Sequence, residues 1–441
     1  MFRAPAFDAD AWCALFERAG ARYVMPVAEH HDGFQMYASD LSTWNAAERG
    51  PRRDVLGELH EAAGRHHLRF CASNHRADHW WFFGHAREFD SDIRESLTTT
   101  DPAAPAGSDL PQDDLYWPST APEPNEFDID STPAPIRAFL EDWLRRNAEI
   151  VDRFHPALLY FDWWVQHRAF RPYLKLIAAY YYNRMAARGE RAAICYKYDA
   201  LAWGAGIADV ERGGFPEPTP FAWQTDTAIA RNSWCYTDTL DYKPLGELIV
   251  TLVDTVAKNG TLLLNAGPRA DGSFAARDTA MLTAIGDWLA ANGDGIYGSR
   301  PWRVAAEGPT RAAGGMFADQ GTTAYTAADW RFTARDGALY AYNLSPDGER
   351  ELTARTFAAF DGEHRPDFNA PIARVEQLGA GDVPFTRDER GLRITPDYAA
   401  AARLRRRRDP RRRPPAHRLP PHAELTEPHP PTEKNEEGDH Q

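Results

Sequence analysis

The sequence predicts an α/β fold with a parallel sheet, followed by a small antiparallel β domain. Three observations carry this. Short apolar runs alternate with segments of helical period between residues 8 and 291, the spacing of βα units. Ionisable clusters follow several of these runs, where ligands of parallel α/β proteins sit. After Gly298-Ser299-Arg300-Pro301-Trp302 the pattern shifts to short alternating segments, as antiparallel strands require.

Residues 8–19 read as an amphipathic helix: Trp12, Leu15 and Phe16 share one face and Gly20 ends it. Tyr23 to Val27 reads as a short buried strand running into Ala28-Glu29-His30-His31-Asp32-Gly33-Phe34. A polar loop (35–51) precedes a helix at 54–66 and a strand from Leu68 to Ser73. Residues 84–133 are rich in Asp, Pro, Ser and Thr, a lid or a disordered stretch. A helix at 135–153 buries Leu140, Trp143 and Ile150, and the strand from Ala157 to Phe161 ends at Asp162-Trp163-Trp164. Then come a helix (170–188), a strand (192–197) and a long loop on the active side (199–235). A helix (242–258), the strand 260–265 and a helix (276–291) complete the region. Trp330 to Thr333, Ala338 to Tyr342 and Leu392 to Thr395 are the β-domain strands. Beyond about 403 the Arg/Pro-rich composition cannot bury a core and reads as a disordered, solvated tail.

The chain has 441 residues, 43% of them hydrophobic, with 14 Trp, enough for one large domain and a smaller one. Trp fills cores, and also offers the flat surfaces that sugar clefts need. A net charge of −14 argues against a nucleic-acid binder. Cys13, Cys71, Cys195 and Cys235 are widely spaced without a CxxC pair, and read as buried free thiols. There is neither an apolar run of membrane-spanning length nor a signal-peptide pattern. The compartment is left unknown: the cytoplasm is only the default, because the native start of the chain is expected to be missing.

Three strand ends carry unusual side chains: His30-His31-Asp32, Ser73-Asn74-His75, and Asp162. The first has a bland reading as a solvated loop. Asp162 follows five apolar residues and precedes two tryptophans. A carboxylate there is costly unless paired: it caps the next helix, binds an Arg, or acts as a nucleophile or base. A glycoside-cleaving site needs a second carboxyl, about 5–5.5 Å away in retaining enzymes. Asp209, Glu211, Glu217 and Asp226 are the candidates. The competing chemistry is a metal-dependent hydrolase using His30, His75 and His79, the last two spaced as on one helix face.

Ala21-Arg22-Tyr23 leading into Glu29-His30-His31-Asp32-Gly33-Phe34, then Ser39, Ser42, Trp44-Asn45 and Gly50-Pro51-Arg52-Arg53-Asp54, resembles the α-L-fucosidases of glycoside hydrolase family 29. The resemblance continues in Tyr160-Phe161-Asp162, Trp223-Gln224-Thr225-Asp226-Thr227, Ser233-Trp234-Cys235-Tyr236 and Asn259-Gly260-Thr261-Leu262-Leu263-Leu264-Asn265-Ala266-Gly267-Pro268. It runs on through Ile285-Gly286-Asp287-Trp288-Leu289 and Asn292-Gly293 to Ile296-Tyr297-Gly298-Ser299-Arg300-Pro301-Trp302. It covers about residues 8–302.

The resemblance implies a (β/α)8-type barrel (1–302), a small C-terminal β-sandwich (303–402) and the tail (403–441). It implies a retaining exo-α-L-fucosidase acting on fucosylated glycans or glycosides, without cofactor or metal and without nucleic-acid or membrane partners; oligomerisation is left open. Asp162 takes the nucleophile position, and Glu211 the acid/base role with Glu217 in reserve. His30, His31, Trp44, His75, Tyr160, Trp163 and Trp223 are the expected substrate-binding residues. The family's opening Phe-x-His-Trp-Gly-type strand has no counterpart here, so one or two βα units are expected to be missing at the start. A barrel so shortened would expose a strand edge, and low stability with weak or no activity is expected, leaving a fucose-binding remnant as the alternative.

Overall fold

The structure is a computed structural model. It describes residues 2–82 and 127–399, apart from 133, 322, 346, 347, 349 and some single side chains. The expected lid at 84–133 falls almost wholly, and the tail entirely, outside the described residues.

The first region, up to residue 292, alternates helices and strands. Helix α1 (Ala9–Arg18) is capped by the Asp8 carboxylate, which accepts the Ala11 amide. Next come β1 (Tyr23–Val24), β2 (Val27–Glu29), α2 (Val55–Arg65), β3 (Arg69–Phe70), β4 (Ala72–Asn74) and the short α3 (His79–Phe82). Helix α4 (Arg137–Phe154) leads to β5 (Leu158–Phe161), and α5 (Arg171–Ala187) to β6 (Ala193–Lys197). Strands β7 (Ile207–Asp209) and β8 (Trp223–Ala228), helix α6 (Leu245–Ala257), β9 (Gly260–Asn265) and α7 (Ala276–Asn292) follow.

Two expectations need correction. The run from Tyr23 to Val27 is two strands, not one. Pro26 lacks the N–H that would continue the ladder, but its carbonyl still accepts the Ser73 amide, so β1–β3 and β2–β4 pair in sequence. The segment 199–235 is not one long loop, because it contains β7 and β8.

The main sheet is parallel, seven-stranded, in the order β2-β4-β5-β6-β7-β8-β9. Together with its helices it is an incomplete (β/α)8 barrel, with β2 and β9 as the sheet's unjoined edges among the described residues. Two features close the gap between the edges. The Tyr23 hydroxyl donates to the Leu262 carbonyl (3.3 Å) on β9 and lies 3.1 Å from Gln224 Oε1 on β8. Outside the sheet, α1 packs directly on α7: Arg18 pairs with Asp287, and the Tyr297 hydroxyl donates to the Gly20 carbonyl (2.6 Å). Gly286 allows this contact, since a Cβ there would lie 1.9 Å from the Arg18 carbonyl oxygen.

The remainder is antiparallel. Strands β10 (Arg300–Glu307), β11 (Trp330–Arg335) and β12 (Ala338–Asn343) form one sheet. Strand β13 (Leu352–Ala354) is followed by the short pair β14 (Glu376–Gln377) and β15 (Gly381–Asp382), then β16 (Phe385–Asp388) and β17 (Gly391–Ile394); β13, β17 and β16 form a second sheet. Trp330, Phe332, Phe357 and Leu392 fill the core between them. Cys13, Cys71 and Cys195 are buried as expected, whereas Cys235 is exposed. No helix among the described residues is long and apolar enough to cross a membrane.

Candidate active site

The register of the parallel strands lines up the site. Glu29 is opposite Asn74, Asn74 opposite Phe161, and Phe161 opposite Tyr196. These residues point away from the barrel axis: Glu29, fully buried, meets Arg76 (3.1 Å) and Arg146 (3.0 Å), and Phe161 packs on Trp143. Side chains alternate along a strand, so the next residues, His30, His75, Asp162 and Lys197, turn inward as a row. Lys197 pairs in register with Asp209, and Asp209 with Gln224, extending the row to β8.

Asp162 is held at one oxygen. Its Oδ2 lies 2.7 Å from His75 Nδ1, while Oδ1 is buried with no hydrogen-bond partner. The other His75 nitrogen lies 3.0 Å from Ser73 Oγ, and the ring stacks on His30 at 4.5 Å. Burial pushes the Asp162 carboxyl up, but His75, with its charge and its hydrogen bond, Lys197 and the Trp163 amide outweigh it and hold it well below the usual carboxylate range. His31 lies beside His30, with ring centroids 4.0 Å apart. Desolvation, and then neighbouring histidine charge, lowers His30 to about 3 and His31 to about 4. Both are therefore neutral at pH 7, each with one donating and one accepting nitrogen.

Glu211 sits across the row with the opposite tendency. Its Oε2 accepts from Trp163 Nε1 (2.7 Å) and lies 3.3 Å from Lys197 Nζ. Burial raises its pKa; Lys197 and the Trp163 bond oppose this, while the charges of Asp226 and Asp162 add to it. The side chains of Asp162 and Glu211 are 19% and 12% exposed, so both are sheltered yet reachable.

Beneath them lies a buried ionic floor. Lys197 Nζ donates to Asp209 Oδ1 (2.7 Å) and Asp226 Oδ1 (2.9 Å). Gln224 donates to Asp209 Oδ2 (2.7 Å), and the Tyr160 hydroxyl to Asp226 Oδ2 (3.4 Å). Asp209 and Asp226, both candidates for the second carboxyl, are thus committed to other side chains. Lys197 was missed by sequence reasoning. The available signal was its place one residue past an apolar run, the same place that drew attention to Asp162.

The other expected residues have settings of their own. Trp223 is buried with its indole donating to the Lys258 carbonyl (2.9 Å) and packed over Gly260. Trp44 carries the Arg49 guanidinium over its ring at 4.0 Å. Glu217 lies on an exposed stretch. His79 turns its Nδ1 to the His31 carbonyl oxygen (2.7 Å) and is buried, so it does not converge with His30 and His75. Among the described residues no group of three or more His, Cys, Asp or Glu is placed to hold a metal ion.

The site's rim is shared between the two regions. The Phe317 amide donates to the Glu211 carbonyl (2.8 Å), the Asp319 amide to the Arg212 carbonyl (2.9 Å), and Gly214 bridges Gly315 in antiparallel fashion. Below this, Asp319 bonds Thr227 and Lys243.

The open α/β barrel has counterparts among solved structures. The α-fucosidase of Thermotoga maritima in complex with fucose superposes with a TM-score of 0.64 at 22% identity, over 91% of this chain and 78% of that one. The α-L-fucosidase isoenzyme 1 of Paenibacillus thiaminolyticus gives a TM-score of 0.61 at 19% identity, over 90% and 84%. These likenesses define the class of fold. The family model of α-L-fucosidase matches residues 1–294, and the chain belongs to that family. The tissue α-L-fucosidase of Bos taurus is 28% identical over 314 residues, covering 69% of this chain and 58% of the relative. That of Homo sapiens is 27% identical over 332 residues, covering 74% and 62%. The chain therefore spans about three fifths of the length of these relatives.

Proposed function

We propose that the protein hydrolyses terminal α-L-fucosides with retention of configuration. The Asp162 carboxylate attacks the anomeric carbon while His75 holds it in place. Glu211 gives its proton to the departing oxygen, then takes one from the water that releases fucose from Asp162. The neutral His30 and His31 hold fucose hydroxyls. The observation that carries this reading is the sheltered pair Asp162 and Glu211, one carboxyl held low by His75 and Lys197 and the other pushed up by burial. The names of the relatives support the sugar. The test is turnover of an aryl α-L-fucoside by the full chain and by Asp162→Gly. The variant should lose at least about 10³-fold in kcat and regain turnover with azide, giving the inverted fucosyl azide. Full activity in the variant would sink the nucleophile assignment.

A further inference from the structure

Beyond the catalytic row, an aromatic surface continues from Glu211. The Trp163 indole that donates to Glu211 is buried, and Phe127 meets it edge-on, with ring centroids 5.4 Å apart and planes at 84°. Phe127 meets Tyr198 at 5.9 Å. Phe127 and Tyr198 are 42% and 48% exposed, large rings partly open to solvent. Tyr198 directly follows Lys197 and takes φ +53°, a costly conformation for a bulky residue.

Resting on the fucosidase reading, we propose that Phe127 and Tyr198, backed by Trp163, form a stacking ledge for the pyranose ring of the leaving group. Glu211 must reach the oxygen between fucose and that ring, so the first leaving-group sugar lies against whatever borders Glu211. What borders it is this aromatic surface. Flat apolar rings suit the C–H face of a pyranose, and the protein then prefers fucose linked to a sugar over fucose linked to a small alcohol.

The test measures binding by calorimetry to the full chain carrying Asp162→Asn, so that ligands survive. The two probes are methyl α-L-fucoside and a disaccharide with fucose α-linked to galactose. The disaccharide should bind about tenfold more tightly, a difference of about 1.4 kcal/mol. Adding Phe127→Ala or Tyr198→Asn, the latter chosen because Asn tolerates positive φ, should bring the two affinities together. Equal affinities before either change, or a preference that survives both, overturns the ledge. Failure of both ligands to bind overturns the fucosidase reading itself, and the ledge with it.

Discussion

At the scale of single residues, one cation organises four carboxylates. Lys197 is completely buried and touches Asp209, Asp226 and Glu211, and its charge reaches Asp162. Burial alone would lower its pKa, but these anions drive it well above the ordinary lysine range. Lys197→Met leaves buried carboxylates uncompensated and should cost about 3–5 kcal/mol, read as a lower denaturation midpoint. Catalysis has its own signature. Activity should fall on the acid side as Asp162 gains a proton and on the alkaline side as Glu211 loses one. Because the Trp163 bond lowers the Glu211 pKa, Trp163→Phe should move the alkaline limb of the kcat profile to higher pH. A limb that stays put would separate Trp163 from the acid. The place of Asp162 at a strand end was legible in the sequence because it directly follows five apolar residues. His75 was legible as a strand-end residue, but its partner was not. Its grip on Asp162 depends on which strands neighbour each other, and single-strand patterns do not reveal that.

At the scale of elements, the long strands and helices were readable because their periodicity is sustained. Strands β7 and β8 were hidden for different reasons. Ile207 to Asp209 is too short to show alternation, and it follows Gly204-Ala205-Gly206, which reads as a turn. Trp223 to Ala228 is rich in Gln, Thr and Asp because this stretch supplies polar groups to the ionic floor. The loop after β7 depends on glycine: a Cβ on Gly213 would lie 1.8 Å from the Gly315 carbonyl oxygen. Gly213→Ala should push the 314–320 segment off the rim and lower kcat. The local strain should be about 1–3 kcal/mol, and its melting curve should shift little compared with Gly286→Ala, which separates α1 from α7.

At the scale of the whole molecule, the antiparallel region is more than an appendage. Its linker supplies the amides that fix the Glu211 and Arg212 carbonyls, and Leu344, Tyr342 and Tyr325 share a core with α6 and α7. A chain ending at residue 302 should therefore lose turnover even where its far-ultraviolet dichroism retains helix. Recovery of full kcat in that shortened chain would show that the rim needs no outside support. The sequence suggested a division near residue 302, but it held no sign that residues 314–320 return to the barrel. Nothing local marks a backbone bridge between segments a hundred residues apart.

The seam between α1 and α7 also imposes an order in time. Helix α1 is made well before the helix it packs on, since Asp287, the partner of Arg18, lies 269 residues later. At ordinary translation rates this delay is roughly 15–50 s. Throughout it, Trp12 and Phe16 lack Phe274, the ring that will lie 4.8 Å from one and 5.8 Å from the other. Helix α1 is thus seated on α7 only once residue 287 has been made, and until then the faces of Trp12 and Phe16 that Phe274 covers stay open.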